Sequence, residues 1–285
     1  MIFLSVIIPA YNEEKRLPET LKKVRDYLNR QEYTSEVYVV DDGSKDKTVK
    51  IVEDLIKDWK NFRILGYTPN RGKGFAVKTG MLATRGEWRL LMDADNSTDI
   101  SEVEKLWKFA RPSHIKDRMP EGGSSRPSEA SLPTRSASSF DLATQPARVT
   151  LSDQDSHHGY DIIIGSRYLK KDSIKIKQPL GRRITSRIGN ILIRVFLGLK
   201  MVDTQCGFKM FRAGIANEIF PLQTIDRWGF DMEILAIAIK KGYQIKEVPV
   251  DWYDAEGSQL KKGVAWKTLK ELMIIKWNII TGKYS

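Results

Sequence analysis

Asp93 and Asp95 close the apolar run Leu90-Leu91-Met92, and on extended backbone two carboxylates at i and i+2 project to the same side. Like charges facing one spot repel unless a cation joins them, and hard oxygen ligands suit Mg²⁺ or Mn²⁺. Such an ion would bridge a diphosphate and neutralise it as it leaves. The competing reading is an Asp-rich loop capping the helix near Ser101. Three other clusters offer binding chemistry. Pro9-Ala10-Tyr11-Asn12-Glu13 carries a ring able to stack on a base and a glutamate that opens a helix. Val40-Asp41-Asp42-Gly43-Ser44 carries a carboxylate able to accept from a nucleobase N–H or a ribose hydroxyl, beside a turn glycine and a capping serine. Asn70-Arg71-Gly72-Lys73-Gly74 sets glycine-flanked cations at a helix start, where phosphate binds well. Strand ends, caps and a plain turn would explain each of these three equally well. No Gly-rich dinucleotide fingerprint and no Walker lysine accompanies them.

Other chemistries are excluded by composition. The histidines, His114, His157 and His158, all fall within or at the edge of residues 113–158, so the rest of the chain has neither a Ser-His-Asp triad nor a histidine metal site. His157 and His158 read more simply as a surface pair than as metal ligands. A single cysteine, Cys206, rules out an intramolecular disulfide and a cysteine zinc cage, and suits a reducing compartment. With no histidine to activate it and no basic residue nearer than Lys209, Cys206 reads as a buried or loop residue, not a nucleophile.

These clusters need elements to position them. Up to about residue 110 the pattern predicts strands over Phe3–Ile8, Glu36–Val40, Phe62–Leu65 and Trp88–Met92, alternating with helices over 14–29, 46–58 and 73–84. That alternation predicts a parallel α/β sheet, with ligands beyond the carboxyl ends of the strands. Residues 113–158 break the pattern: 16 of 46 are Ser, Pro or Gly, Phe140 is their one aromatic, and no period persists. They read as a disordered low-complexity insertion. The pattern resumes with a strand over Asp161–Gly165, a basic loop, a helix over 182–199, a turn and strand over 203–211, a helix over 228–242, a strand over 245–250 and a final helix over 264–280. The whole, residues 1–285, reads as one domain.

No run approaches the roughly 18 apolar residues of a membrane span, so nothing is expected to cross a bilayer. Ile2–Ile8 reads as a strand instead of a signal peptide. The net charge of +11 is concentrated: residues 170–187 carry +6 and residues 260–283 carry +5. Lys170, Lys171, Lys175 and Lys177 precede a helix bearing Ile188, Ile191, Leu192, Val195, Phe196 and Leu199. Lys267, Lys270 and Lys276 lie among Trp266, Leu269, Ile274, Trp277 and Ile280. Basic amphipathic segments of this kind lie on membranes, so residues 260–285 read as a membrane-surface tail; packing on the sheet or dimerisation are the alternatives. A nucleic-acid binder would also explain the charge, but not paired acidic strand ends, and it lacks a binding motif.

Taken in order, these residues resemble the glycosyltransferases of family 2, inverting enzymes of the GT-A fold, over nearly all of the chain outside the insertion. Ile164-Gly165-Ser166-Arg167, Asp203-Thr204-Gln205-Cys206-Gly207-Phe208-Lys209, Arg227-Trp228-Gly229-Phe230-Asp231-Met232-Glu233 and Val250-Asp251-Trp252 with Glu256-Gly257-Ser258 look like the branch that transfers glucose to dolichyl phosphate. The resemblance implies a Rossmann-like, mostly parallel central sheet flanked by helices, with amphipathic C-terminal helices. It implies inverting, metal-dependent transfer of glucose from UDP-glucose to dolichyl (polyprenyl) phosphate at the cytoplasmic face of a membrane, giving dolichyl β-D-glucosyl phosphate for protein glycosylation. It further implies that Pro9, Tyr11, Glu13 and one of Asp41 and Asp42 hold uridine. Asp93 and Asp95 would hold Mg²⁺ or Mn²⁺ and the diphosphate, and Arg167 and Arg183 the acceptor phosphate. Arg71 and Lys73, in the glycine-flanked segment suited to phosphate, are the candidate donor-binding cations. Asp231 and Glu233 would be base candidates for a hydroxyl acceptor. A phosphate monoester, with a second pKa of about 6, needs positioning more than a base, so both are expected to orient donor hydroxyls or the acceptor loop. Two features depart from the resemblance: eukaryotic members carry an N-terminal membrane anchor that is not seen here, and a related subgroup has Gln where this chain has Ser97. Its rivals are GDP-mannose-dependent transfer to polyprenyl phosphate and a sugar-nucleotide pyrophosphorylase, whose Gly-rich basic N-terminal loop is missing.

Overall fold

The computed structural model describes residues 1–110, 159–170, 172–174, 193–254 and 264–284. The insertion expected at 113–158, the basic loop from residue 175 onward, Arg183 and the first part of the helix expected at 182–199 lie outside these residues; 193–197 are helical.

Seven strands form one sheet: β1 (Leu4–Ala10), β2 (Ser35–Asp41), β3 (Phe62–Gly66), β4 (Trp88–Met92), β5 (Ile162–Ser166), β6 (Phe208–Arg212) and β7 (Ile245–Pro249). Their order is β3-β2-β1-β4-β6-β5-β7. The first four are parallel, β6 runs antiparallel to β4 and β5, and β7 is parallel to β5. The mostly parallel sheet expected from the strand–helix alternation is therefore present, with one reversed strand. Besides the helical residues 193–197, seven helices accompany it among the described residues: α1 (Leu17–Leu28), α2 (Thr48–Ile56), α3 (Lys73–Ala83), α4 (Val103–Trp107), α5 (Ala213–Ile219), α6 (Phe230–Lys240) and α7 (Val264–Ile280).

The central strands β1, β4, β5 and β6 are mostly apolar and buried because both faces of the sheet are covered there, whereas the edge strands β3 and β7 are only partly buried. Strand pleating sends alternate residues to opposite cores. Val6, Ile8, Leu90, Met92, Phe208 and Met210 pack on one face with Val24, Trp88 and Trp107; Ile7, Leu91, Ile162, Ile164 and Phe211 pack on the other with Val77, Met81 and Ile237. Each fully buried side chain of this size contributes about 1.5–3 kcal/mol of transfer free energy, so the sheet is a rigid platform. The direction of β6 matters most for function. Entering from the edge where β1, β2, β4 and β5 end, it lands residues 203–207 on that edge, and α6 starts against it.

Candidate active site

Every strand end named above delivers a polar cluster to this one edge. Beyond β4 the geometry differs from the extended pair expected for Asp93 and Asp95. The strand stops at Met92 and residues 94–95 form a turn, so a period-2 argument does not apply. Asp93 turns to Lys73, whose Nζ lies 2.6 Å from Oδ1. Asp95 accepts from the Ser97 amide at 3.0 Å and hydroxyl at 2.7 Å, and its other oxygen lies 3.7 Å from Arg16 Nη1. Both carboxylates nonetheless act on the same neighbours: each repels Glu13 and each attracts Lys73 and Arg16. Burial holds the Glu13 carboxyl above the usual carboxylate range, and repulsion from Asp95 and Asp93 adds to it, despite a two-point contact with Arg16. Burial alone would lower the Lys73 ammonium; Asp93 and Asp231 outweigh it and hold it well above the usual lysine range.

Asp93 depends on a glycine. A Cβ on Gly207, the residue before β6, would lie 2.0 Å from Asp93 Oδ2, so only a residue without a side chain leaves the carboxylate its place. Ser97, at the position of the missing glutamine, is buried and serves as the anchor of Asp95.

The loop after β2 separates its two aspartates. Asp42 is saturated: it accepts from Asn70 Nδ2 at 2.7 Å, from the Arg71 amide at 2.7 Å and from the Gly72 amide at 2.9 Å. This corrects the phosphate-cradle reading of residues 70–74, because the anion that these amides hold is Asp42 itself. The amide of Phe75 is likewise taken, by the Asp226 carbonyl at 3.0 Å. Gly72 adopts φ +117° against that carbonyl, and a Cβ there would lie 2.4 Å from its oxygen. Arg71 turns outward, stacked 3.3 Å over the Phe75 ring centroid. Asp41, by contrast, accepts from the Gly43 and Ser44 amides through Oδ2, while its Oδ1 is buried with no hydrogen-bond partner among the described residues. The loop after β1 is laced to the same region, with the Asn12 amide donating to Ser44 Oγ and the Glu13 amide to Thr48 Oγ1. Pro9 lies buried within β1, and Tyr11 is exposed at the rim.

On the β5–β6 side, Arg167 is no solvated surface charge. Its guanidinium forks onto Asp203 at 2.7 and 2.8 Å and lies near the rings of Tyr168 and Trp252. Burial would raise the Asp203 carboxyl, but Arg167 and Lys209 hold it below the usual range. Three guanidinium N–H groups of Arg167 remain beyond the two in the fork. Asp231, at the start of α6, pairs with the buried Lys209 at 2.5 Å, and Lys209 also donates to the Cys206 carbonyl. Burial, with Asp203, pushes the Cys206 thiol up to about 12, in keeping with a buried, inert cysteine. Glu233 is not brought to this site. It is fully buried, accepts from the Thr224 and Ile225 amides and the Thr224 hydroxyl, and takes the Tyr284 hydroxyl at 2.6 Å. Two residues of spacing, about 200° around a helix, send it to the far side from Asp231, where it staples the C-terminal end. Asp93, Asp95, Glu13, Lys73 and Asp231 are thus brought together.

Lys209 and Arg16 were missed by the sequence reading. A lysine between Phe208 and Met210, inside an apolar strand, was the available signal, since such a charge must find a buried partner.

Two carboxylates suit Mg²⁺ or Mn²⁺, which is commonly held by one or two carboxylates with the rest of its shell from phosphate and water. Among the described residues no three His, Cys, Asp or Glu side chains converge as a complete protein cage. The donor set therefore fits a site that a diphosphate completes.

A family model described as glycosyl transferase family 2 matches residues 5–115. Together with the relatives that follow, this shows that the chain belongs to glycosyltransferase family 2, and the chain is a glycosyltransferase. It is 34% identical to dolichyl-phosphate β-glucosyltransferase of Saccharomyces cerevisiae, with 99% of this chain and 77% of that protein covered. To the Homo sapiens dolichyl-phosphate β-glucosyltransferase it is 33% identical at the same coverage. In fold it is similar to mannosyl-3-phosphoglycerate synthase from Rubrobacter xylanophilus (TM-score 0.62, 12% identity, 99% of this chain and 75% of that one). It is likewise similar to Mycobacterium tuberculosis glucosyl-3-phosphoglycerate synthase solved with Mn²⁺, UDP and phosphoglyceric acid (TM-score 0.60, 13% identity, 96% and 78% covered).

Proposed function

We propose that this glycosyltransferase moves glucose from UDP-glucose to the phosphate of a dolichyl or other polyprenyl phosphate, with inversion at the sugar. The observation that carries the reading is the acidic pair Asp93/Asp95 at the end of β4, faced by Lys73, in a chain one-third identical over nearly its whole length to dolichyl-phosphate β-glucosyltransferases. Asp41, with one buried oxygen unpartnered, is the residue for the nucleobase or ribose, and Tyr11 offers a ring to stack on. Asp42 shapes the loop. Asp93 and Asp95 would hold a divalent ion, which when bound supplies charge neutralisation of the departing diphosphate. Lys73 adds a second positive charge on the same side.

The acceptor phosphate is already largely dianionic near neutral pH, so its oxygen attacks the sugar C1 as the bond from C1 to the diphosphate breaks, and UDP leaves. No proton needs to be removed. That suits a site in which Asp231 is tied to Lys209 instead of free. Arg167, steadied by Asp203, offers its remaining N–H groups to the acceptor.

A lipid acceptor requires the enzyme to meet a membrane surface. Leu269, Met273, Trp277 and Ile280 form an exposed stripe along α7, Trp277 being 67% and Ile280 68% exposed. Lys276 lies near the ring of Phe196, which joins exposed Val195 and Phe196 to that stripe. Lys267, Lys270 and Lys283 are exposed on the same C-terminal segment. No helix among the described residues is long and apolar enough to cross a membrane, so this face would rest on the bilayer. Flotation with anionic vesicles is expected to carry the protein up at low salt and not at high salt, and Trp277→Ser with Ile280→Ser to abolish it. Equal flotation of both proteins would remove α7 from the reading. The donor test compares UDP-glucose with GDP-mannose for transfer to polyprenyl phosphate, with and without Mn²⁺. Preferential use of GDP-mannose would overturn the assignment.

A further inference from the structure

Lys73 occupies the place where a cation is needed at Asp93, and its backbone is fixed there. Its backbone is pinned on both sides, by the Gly72 amide on Asp42 and the Phe75 amide on the Asp226 carbonyl. From that fixed start its ammonium reaches across to Asp93 at 2.6 Å, with Trp228 beside it, 5.5 Å from ammonium to ring centroid. Asp95 and Asp231 also attract it. Counting formal charge, Glu13, Asp93, Asp95 and Asp231 supply four negative charges, and Lys73, Arg16 and Lys209 three positive ones. The cluster is thus close to neutral as it stands. A divalent ion alone would leave it positive, with Lys73 the nearest like charge. A divalent ion arriving with the doubly negative diphosphate of a nucleotide sugar restores the original balance, and gives Lys73 a new anion within reach of its flexible stem.

We propose that the Lys73 ammonium is a built-in substitute cation for Asp93, displaced only when a divalent ion and a diphosphate bind together, so that metal binding without nucleotide is suppressed. The idea rests on the metal and diphosphate assignment above and adds an ordering device to it. The device would keep an unloaded site from trapping metal, and would make each ligand raise the affinity of the other by the same factor.

Mn²⁺ binding to the purified chain, followed by electron paramagnetic resonance without substrate turnover, tests it. The wild-type protein is expected to bind Mn²⁺ weakly alone and at least roughly tenfold more tightly with saturating UDP. Lys73→Met is expected to bind Mn²⁺ alone about tenfold more tightly than wild type, because a like charge beside the ion has gone, and to gain little from UDP. Lys73→Gln repeats the measurement with a polar side chain should the methionine variant misfold by circular dichroism. Lys78→Met, which removes a lysine bonded to the Pro221 and Gln223 carbonyls, is expected to match wild type. Unchanged or weaker Mn²⁺ affinity in the folded Lys73 variants overturns the proposal, as does undetectable Mn²⁺ binding in all of them. If GDP instead of UDP tightens Mn²⁺ binding, the donor assignment fails, while the comparison with Mn²⁺ alone still decides the role of Lys73.

Discussion

Replacing Gly207 by alanine isolates the position of Asp93 from its chemistry. The new Cβ would lie 2.0 Å from Asp93 Oδ2, 2.2 Å from Cγ and 2.4 Å from Oδ1. Ordinary contact begins near 3.4 Å, so the carboxylate must retreat by roughly 1.4 Å. That retreat breaks the 2.6 Å contact with Lys73 and displaces the oxygens that in the proposed reading would hold the divalent ion. A misplacement of about 1 Å can cost roughly 100-fold in rate, which is about 2.7 kcal/mol of transition-state stabilisation. The fold should hardly notice. Gly207 is not in the left-handed region, and a glycine-to-alanine change on compatible backbone usually alters stability by less than about 1 kcal/mol. Initial rates at several Mn²⁺ concentrations, together with thermal unfolding, form the assay. The expected result is a kcat/KM lowered about 100-fold with a nearly unchanged Tm, and a loss not recovered by more Mn²⁺. Activity within threefold of wild type would refute the claim that Gly207 sets the place of Asp93. A large fall in Tm would show instead that the clash is relieved through the fold.

Three further outcomes follow from the same contacts. Lys209→Met leaves Asp231 buried without its cation and is expected to destabilise by about 3–5 kcal/mol; adding Asp231→Leu should recover most of this in urea unfolding, and a non-recovering double variant would count against the pair. Because Arg167 holds Asp203 below its usual range, the pair's contribution is fully present above the unfolded carboxylate value of about 3.9 and is lost as pH falls through the lower folded value. Wild type and Asp203→Asn should therefore converge in stability only from about pH 4 downward, and a constant gap from pH 7 to 2.5 would contradict this. Cys206, 1% exposed and with its thiol raised to about 12, should react with iodoacetamide at pH 8 only as fast as the protein unfolds, as mass spectrometry can follow.

The parallel half of the sheet was legible because short runs of apolar and β-branched residues alternate with helical stretches, and β1 to β4 fall where those runs lie. The reversed strand was not, since the apolar content of β6 is the same whichever way it points; only its antiparallel register with β4 and β5 reveals the direction. Helix α5 escaped because seven residues containing Gly214 and Asn217 carry too little periodicity to announce a helix. At the site, residue types were readable and partners were not. Asp41 and Asp42 are chemically identical in sequence, and the difference between a saturated carboxylate and one with a spare oxygen comes from amides nearly thirty residues downstream. Glu233 looked equivalent to Asp231 for the same reason, until helix geometry turned the two apart. The period-2 argument for Asp93 and Asp95 failed on one assumption, that extended backbone continues past Met92.

The partners assigned to each carboxylate bear directly on the acceptor. Among the described residues Asp93 is held by Lys73, Asp95 by Ser97 and Arg16, Glu13 by Arg16, and Asp231 by Lys209. A general base needs an oxygen free to take a proton from the attacking group, with a pKa near the working pH. Withdrawing Asp231 from Lys209 to do this would strand a buried ammonium, a change worth several kcal/mol against the reaction. A hydroxyl acceptor would require that withdrawal at every turnover. A phosphate monoester requires none, because solvent has already removed its second proton. What it requires is charge compensation against an approaching anionic donor, and in the proposed reading Lys73, the remaining N–H groups of Arg167 and a divalent ion at Asp93 and Asp95 would supply it. The tied carboxylate and the cations beside it are thus two sides of the proposed reading: a site suited to transferring sugar to an oxygen already ionised.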